Sequence, residues 1–467
     1  MTMPLSHSAP SVSVHATALI EFIKDYPTKD IPPIAFDNAR ACLLDALGCG
    51  LFGASQPWST IMASQLIEES SHGSSVVLGH RQTLSAPAAA LCNGTAIHGF
   101  ELDDLLPAAI IHPGTVVIPA VLAAAQSSNA TAEQLLRAII LGYEATSRLS
   151  LALGTKASEL GFHKTSVVGP VASALAVGSV LGLTIPQLIS AAGIAASLSS
   201  GIKAYVVGGG GGMVKRMHAG WAASSAVRAA LLAQKGFTGP SGAIEGHYGL
   251  LDVFGYKEAQ PTALSKDFGQ SWAINAVWFK VYPLCGWVQG VVQLIKQLRK
   301  ASPFNPDELE KIVVGTSQLA VKSNANPKPE DTMDAQYSIP YCVALTLMGD
   351  PADPRSFEPA SFTDQPLLAL AAKVELTVDP ECEAVYPSRF GSRVQLHLKN
   401  GKVLQALTLD PHGTPADPCT AEEISIKFNR LADLSPLPVD SRAIAKSVLA
   451  LQGEQSLQPI NLLLQGQ

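Results

Sequence analysis

Residues 99–120, GFELDDLLPAAIIHPGTVVIPA, place three carboxylates (Glu101, Asp103, Asp104) and one histidine (His112) between flanks that carry almost no charge. Ionised groups in apolar surroundings are costly unless they are paired or put to use. If residues 99–105 continue the preceding helix, Glu101 and Asp104 share a face at i, i+3, and Asp103 points elsewhere. Pro113 restricts His112 to extended backbone and can open the next helix at its first position. A histidine on a loop, beside carboxylates and at a helix start, suits proton transfer. An N-cap and a hydrogen-bonded core histidine is the competing account.

Four further spots carry usable chemistry. His163, in Gly161–Thr165, precedes an uncharged helical run, where a helix start favours bound anions and disfavours a second positive charge on the ring. The glycine run 208–212 leads into MVKRMH, a loop delivering Lys215, Arg216 and His218 to a helix start and suited to carboxylates. It is not a phosphate loop, because Arg216 follows Lys215 where Ser or Thr is required. Lys280, in VWFKVYPLCGW, either brings its charge to the surface or reaches into a site, with Cys285 nearby. Tyr337 and Tyr341 lie four apart on an expected helix, where core packing is the ordinary role. No Ser-His-Asp order, dinucleotide fingerprint or metal-spaced cluster is present, so polar side chains alone must carry any catalysis.

Such residues need a scaffold, and composition bounds it. At 467 residues two domains are expected. Hydrophobic residues make up 47% and charged residues 15%, which suits a helical protein that buries further area in an oligomer. Net charge is −6, and no basic cluster is long enough to track a phosphate backbone, which argues against nucleic acid. Seven scattered cysteines without a CxxC pair fit a reducing compartment and no structural zinc. The Ser-rich N-terminus lacks a secretory pattern and, without arginine, reads as a short disordered tail. The expected compartment is the cytoplasm, with the mitochondrion as the alternative. The uncharged run Thr165–Ile202 is long enough to span a bilayer, but Pro186 and Gln187 break it into two buried helices.

Periodicity and breakers predict helices from about 15 to 53, then at 58–69, 85–103, 113–128, 131–153, 165–182, 185–199 and 213–236. After Gly236 the texture becomes Gly-rich, irregular and then aromatic. From about Lys311 strand signals appear, and SRVQLHLKNGKVLQALTL is a hairpin turning at Asn400–Gly401. QYSIPYCVALTLMG and FTDQPLLALAAKV read as helices, as do EEISIKFNRLADL and DSRAIAKSVLAL near the C-terminus. The expectation is mainly α. It comprises a large helical domain (1–268), a smaller α+β lid domain (269–420) and C-terminal helices (421–467) packing back on the first domain.

The segments HGFELDD with HPG, GFHKTSVVGPVASALAVGSVLGL, GGMVKRMHAGWAASS, FKVYPLC, AQYSIPYCVA and YPSRFGSRVQLHLKNGK resemble the MmgE/PrpD family, in family order along nearly the whole chain. The resemblance implies a helical domain plus an α+β lid, a homodimer, and catalysis without metal or organic cofactor. It implies catalytic roles for Glu101 (where members often have Asp), Asp104, His112, His163, Lys215 and Lys280, and substrate contacts from Arg216, Cys285 and Tyr341. Leu105 and Leu106 replace residues that are commonly polar or aromatic. Cys285 stands where mammalian decarboxylases of the family have histidine, and Gln289 where many members have histidine. The implied activity is that of a lyase on a small polycarboxylate, with no nucleic acid and no membrane as partner. The reading favoured is cis-aconitate decarboxylase-like. 2-Methylcitrate dehydratase and a dicarboxylate epimerase such as iminodisuccinate epimerase are the alternatives.

Overall fold

The computed structural model describes residues 13–69, 72–206 and 213–467. The expected N-terminal tail and the glycine run 208–212 lie outside the described residues. The protein is mainly α-helical and divides into two compact units.

Unit one takes its residues from Met1–Gly99, Asp104–Ala276 and Ile424–Gln467. Its first part contains α1 (Val14–Asp25), α2 (Pro33–Gly53), α3 (Pro57–Glu68) and an antiparallel pair of two-residue strands, β1 (Ser75–Val76) and β2 (Thr83–Leu84). Then follow α4 (Ala86–Ile97), α5 (Val117–Ser128), α6 (Ala132–Leu153), α7 (Lys156–Glu159), α8 (Lys164–Val180), α9 (Ile185–Ala196) and α10 (Val214–Gln234). α4 and α10 pack backbone to backbone because their facing residues are small. A Cβ on Gly220 would lie 2.3 Å from the Leu91 carbonyl oxygen, and one on Gly94 would lie 2.7 Å from the Gly220 Cα. The uncharged run forms α8 and α9, and no helix among the described residues is long and apolar enough to cross a membrane.

Two expected boundaries move. α4 stops at Ile97, so Glu101 and Asp104 do not share a helix face. Past the helix end the chain turns through Glu101 in left-handed backbone (φ 56), and the two carboxylates find separate partners. Nor does Pro113 open α5. Its carbonyl instead accepts the Val116 and Val117 amides in a turn, and the helix begins at Val117.

Unit two comprises Val277–Glu423 with the short segment Phe100–Asp103. It holds α11 (Gly286–Ala301), β3 (Leu309–Thr316), α12 (Gln318–Ser323), α13 (Thr332–Tyr337), α14 (Ile339–Met348), α15 (Gln365–Ala371), β4 (Val374–Val378), α16 (Pro380–Val385), β5 (Ser392–Leu398) and β6 (Val403–Thr408). The strands form one sheet in the order β4-β3-β5-β6, with only the β3–β4 pair parallel. The β5–β6 hairpin turns at Asn400–Gly401 as its sequence predicts, with Gly401 at φ 83. β4 and α11 were not foreseen; β4 follows directly on the α15 helix signal and is only half-buried.

The chain then returns to unit one through α17 (Ala421–Ala432), α18 (Ser441–Leu449) and α19 (Gln458–Leu464). Lys427 pairs with the buried Asp45 of α2 at 2.6 Å, and Phe428 lies against Gly48.

The α4–α10 approach yields a test. Gly220→Ala is expected to lower the unfolding free energy by about 1–3 kcal/mol or more, the cost of overpacking. Urea denaturation reads this directly, and an unchanged midpoint would refute the close contact.

Candidate active site

Unit one gathers histidines from four elements. His98 caps the C-terminus of α4, His112 sits on the loop before α5, His163 is the N-cap of α8, and His218 lies in the second turn of α10. The His98 ring centroid is 5.2 Å from that of His112 and 5.6 Å from that of His163, the latter pair stacked. His163 and His218 bring their Nδ1 atoms to 3.2 Å, so one ring donates its proton and the other accepts it. Tyr205 packs edge-on against both.

The His112 loop is held from several sides. Its Nδ1 lies 2.8 Å from the Asp104 carbonyl oxygen, which can only accept, so Nδ1 carries the proton and the neutral ring keeps its lone pair on Nε2. The Asp104 carboxylate accepts the Gly114 amide at 2.9 Å and the Tyr143 hydroxyl at 2.6 Å. Tyr143 is fully enclosed, and burial next to the Asp104 charge keeps its hydroxyl protonated far above the usual range. Gly114 is required here, since a Cβ would fall 2.7 Å from the carboxylate. Leu105 and Leu106 are buried, and the Leu106 amide donates to the Ile111 carbonyl to close the loop. Lys164 pins its middle, donating to the Ala109 and Ser150 carbonyls at 2.9 and 3.1 Å; burial pushes its ammonium down to about 8.

Lys215 and Arg216 lie on the first turn of α10 and are buried, not on a loop as expected from the sequence. The Lys215 ammonium acts electrostatically on both His163 and His218. Arg216 donates to the Gly99 carbonyl at 3.3 Å and stacks its guanidinium over Trp58, 4.9 Å from the ring centre.

Unit two holds the remaining positions. Lys280 and Glu101 form a buried ion pair at 3.3 Å, with 1% and 4% of their side chains exposed. Gln289 of α11 braces the turn after Lys280. Its amide group donates to the Tyr282 and Leu284 carbonyls at 2.8 and 3.0 Å, and its oxygen accepts the Tyr282 amide at 3.2 Å. Cys285 is the buried N-cap of α11. Tyr341 is packed inside the unit between Phe357 and Phe362, with its hydroxyl directed at the Ser356 carbonyl.

The sequence that carries these positions is similar to known proteins along most of its length. Residues 17–262 match the MmgE/PrpD N-terminal domain and residues 282–451 the MmgE/PrpD C-terminal domain. The chain belongs to the MmgE/PrpD family. It is 30% identical over 432 residues to the cis-aconitate decarboxylase of Aspergillus terreus strain NIH 2624, covering 87% of this chain and 86% of the relative. It is 26% identical over 410 residues to the human cis-aconitate decarboxylase, covering 84% and 82% of the two chains. It is also 26% identical over 405 residues to the 2-methylcitrate dehydratase of Escherichia coli K12, covering 83% and 82%. Decarboxylases and dehydratases of this kind are lyases, and this MmgE/PrpD protein is an enzyme of that class.

Sequence reasoning singled out His112, His163, Lys215, Arg216 and Asp104, and the structure brings these into unit one. It missed His98, Tyr205, Tyr143 and Lys164. His98 stands only six residues before Asp104, inside the HGFELDD segment, so the signal was present.

Dense surroundings push the His163 ring well below the usual histidine range, although part of the residue stays accessible; His98, Lys215, His218 and His112 add to the shift. His218 is lowered too, by burial and by Lys215. The unfolded chain therefore takes up protons as pH falls through about 6.5, while folded His163 remains neutral. Stability is lost in that window, downward from 6.5. His163→Gln should flatten the acid limb of unfolding free energy against pH relative to wild type. Parallel limbs in the two proteins would show that His163 is not held neutral.

Proposed function

We propose that this MmgE/PrpD protein is a cofactor-independent lyase acting on a citrate- or aconitate-type polycarboxylate. The favoured reaction is decarboxylation of a cis-aconitate-like substrate to an unsaturated dicarboxylate. The observation that carries the reading is the assembly of four histidines beside the Lys215 ammonium in charge-poor packing, with His163 held neutral. A cation in such surroundings attracts a carboxylate more strongly than it would in water. In this reading Lys215 and His163 bind carboxylates in unit one, with Arg216 supporting that wall.

Loss of CO₂ leaves an electron pair on carbon, and a proton must be delivered there. A neutral histidine that takes up a proton as the anion binds can supply it. His112, with its Nδ1–H held by the Asp104 carbonyl, presents Nε2 as the basic atom that takes up the proton and then delivers it. Asp104 acts through His112, Gly114 and Tyr143 and is a positioning residue. The buried leucines 105 and 106 supply apolar walls that favour departure of a neutral molecule. Dehydration of a 2-methylcitrate-type substrate is the second reading, supported by the bacterial dehydratase relative.

A panel assay with cis-aconitate, 2-methylcitrate, citrate and an aspartate-derived imine separates these reactions by CO₂ release, alkene absorbance and chirality. On the substrate so found, Lys215→Met keeps the buried stem and removes the charge. It should cut kcat/KM by roughly 10²–10³, as loss of a charge-stabilising donor does. His163→Gln should cost at least as much if the ring also transfers the proton. Near-wild-type rates in both variants would sink the assignment, whatever the substrate.

The same reading includes a homodimer. Val214, Trp221 and Leu232 are exposed apolar residues along α10, at 43%, 49% and 41% exposure. A second copy of the chain is the occupant that the low charge content favours. Light scattering should give twice 48.8 kDa for the wild type. Trp221→Asp should shift the mass toward the monomer, and an active wild-type monomer at micromolar concentration would contradict the proposal.

A further inference from the structure

Unit two contains a second constellation that the lyase reading does not use. His412, Cys419 and Glu423 each offer one ligand-type atom, and these atoms all lie within 4.8 Å of one another. The His412 Nε2 is 3.0 Å from a Glu423 carboxylate oxygen and 3.9 Å from the Cys419 sulfur. Its other nitrogen, Nδ1, lies 3.1 Å from the Asp417 carboxylate. We propose that His412, Cys419 and Glu423 form a binding site for a zinc-class divalent cation, oriented by Asp417.

The geometry fits the ion. With bonds of about 2.0 Å to N or O and about 2.3 Å to S, ligand atoms on a tetrahedral zinc lie roughly 3.3–3.6 Å apart. The two observed separations sit within a few tenths of an ångström of that. Asp417 on Nδ1 supplies the carboxylate–histidine arrangement that fixes the tautomer and aims Nε2 at a metal. The fourth position is left for water or a further ligand.

The donors are also held in place before any ion arrives. The His412 amide donates to Gln293 of α11 at 2.8 Å, and its carbonyl accepts the Trp278 indole at 3.3 Å. The second Glu423 oxygen accepts the amide and hydroxyl of Thr420 at 2.8 Å, which fixes this carboxylate in the first turn of α17. A salt-bridge hub is the simpler account of His412 with its two carboxylates. At 29%, 49% and 46% exposure such a hub contributes little, and it gives no reason for the thiol. Cys419 is the one cysteine of the seven that is not buried. Binding would pass the thiol proton to solvent and tie the segment after β6 to the start of α17.

No C-x-x-C or H-x-x-H spacing marks the site, since His412 and Cys419 stand seven apart.

The test uses full-length protein stripped with a chelator, then titrated with Zn²⁺ against a chromophoric competitor and separately with Co²⁺. Wild type should bind one equivalent that Cys419→Ser lacks, and stoichiometric cobalt should give a thiolate charge-transfer band. Asp417→Asn should weaken zinc 10–100-fold, as loss of an outer hydrogen-bond partner does. Zinc should also slow the reaction of Cys419 with a thiol reagent. An equivalent retained in Cys419→Ser, or a cobalt spectrum without the thiolate band, overturns the proposal. Cobalt is read on the wild type, so misfolding of a variant cannot mask the answer, and no arm depends on lyase activity.

Discussion

Asp104 is a carboxylate that α-helical packing with little charge has to satisfy internally, and much of unit one follows from how it does so. One oxygen takes the Gly114 amide and the other the Tyr143 hydroxyl, while the residue's backbone carbonyl takes the His112 ring. Each bond constrains its donor. Gly114 can bear no Cβ, Tyr143 must stay protonated, and His112 must carry its proton on Nδ1. Removing the carboxylate would leave a buried hydroxyl and a buried amide without their acceptor, each a loss of about 1–3 kcal/mol. The Gly of the HPG segment is thus a consequence of where Asp104 points, not a loop preference.

Small residues do the complementary work. α4 and α10 approach to backbone contact through Gly94 and Gly220, which places the ends of both helices, and with them His98 and His218, a few ångströms from the α8 N-terminus. Larger residues at either glycine would hold those ends apart. Where the chain leaves α4 it takes left-handed backbone at Glu101 and again at Ile110, neither of them glycine. Conformations of that kind cost about 1–3 kcal/mol and persist only where the surroundings hold them. Here the holds are visible: the Lys280 ion pair at Glu101, and the Lys164 and Ser150 bonds to the Ala109 carbonyl just before Ile110.

Much of the helical pattern was legible in the sequence because apolar spacing and Gly/Pro punctuation agree along it, as for α6, α8 and α10. The β5–β6 hairpin was legible for the same reason at period two. The failures share a cause. α4 was extended to 103 because HGFELDD contains no strong breaker apart from Gly99, and only tertiary partners decide where its carboxylates go. β4 was missed because VELTV is short and half-buried beside a stronger helix signal. Among the candidate residues, those of unusual type for their context were readable: His112, His163 and Lys215 in unit one and Lys280 in unit two. Tyr143 and Lys164 were not, since a tyrosine and a lysine in helices look ordinary until their burial is seen. His412 and Cys419 were unreadable for the opposite reason, because their convergence depends on a turn rather than on a repeating spacing.

The protonation states in unit one point in one direction. His163 and His218 are lowered by burial and by the Lys215 ammonium, so the resting cluster holds less positive charge than its residue types suggest. An anion placed among them reverses both influences on the rings. It screens Lys215 and offers each imidazolium a partner, so protonation becomes favourable where it had been opposed. A neutral ligand would do neither. Binding of a carboxylate and acquisition of a proton are therefore coupled by the same electrostatics. The coupling requires Lys215 to sit close to the rings, which its place on the first buried turn of α10 achieves and a loop position would not. Under the proposed reading, the rigidity of α8 and α10 is thus part of the acid–base chemistry, since it keeps the imidazoles uncharged until substrate arrives.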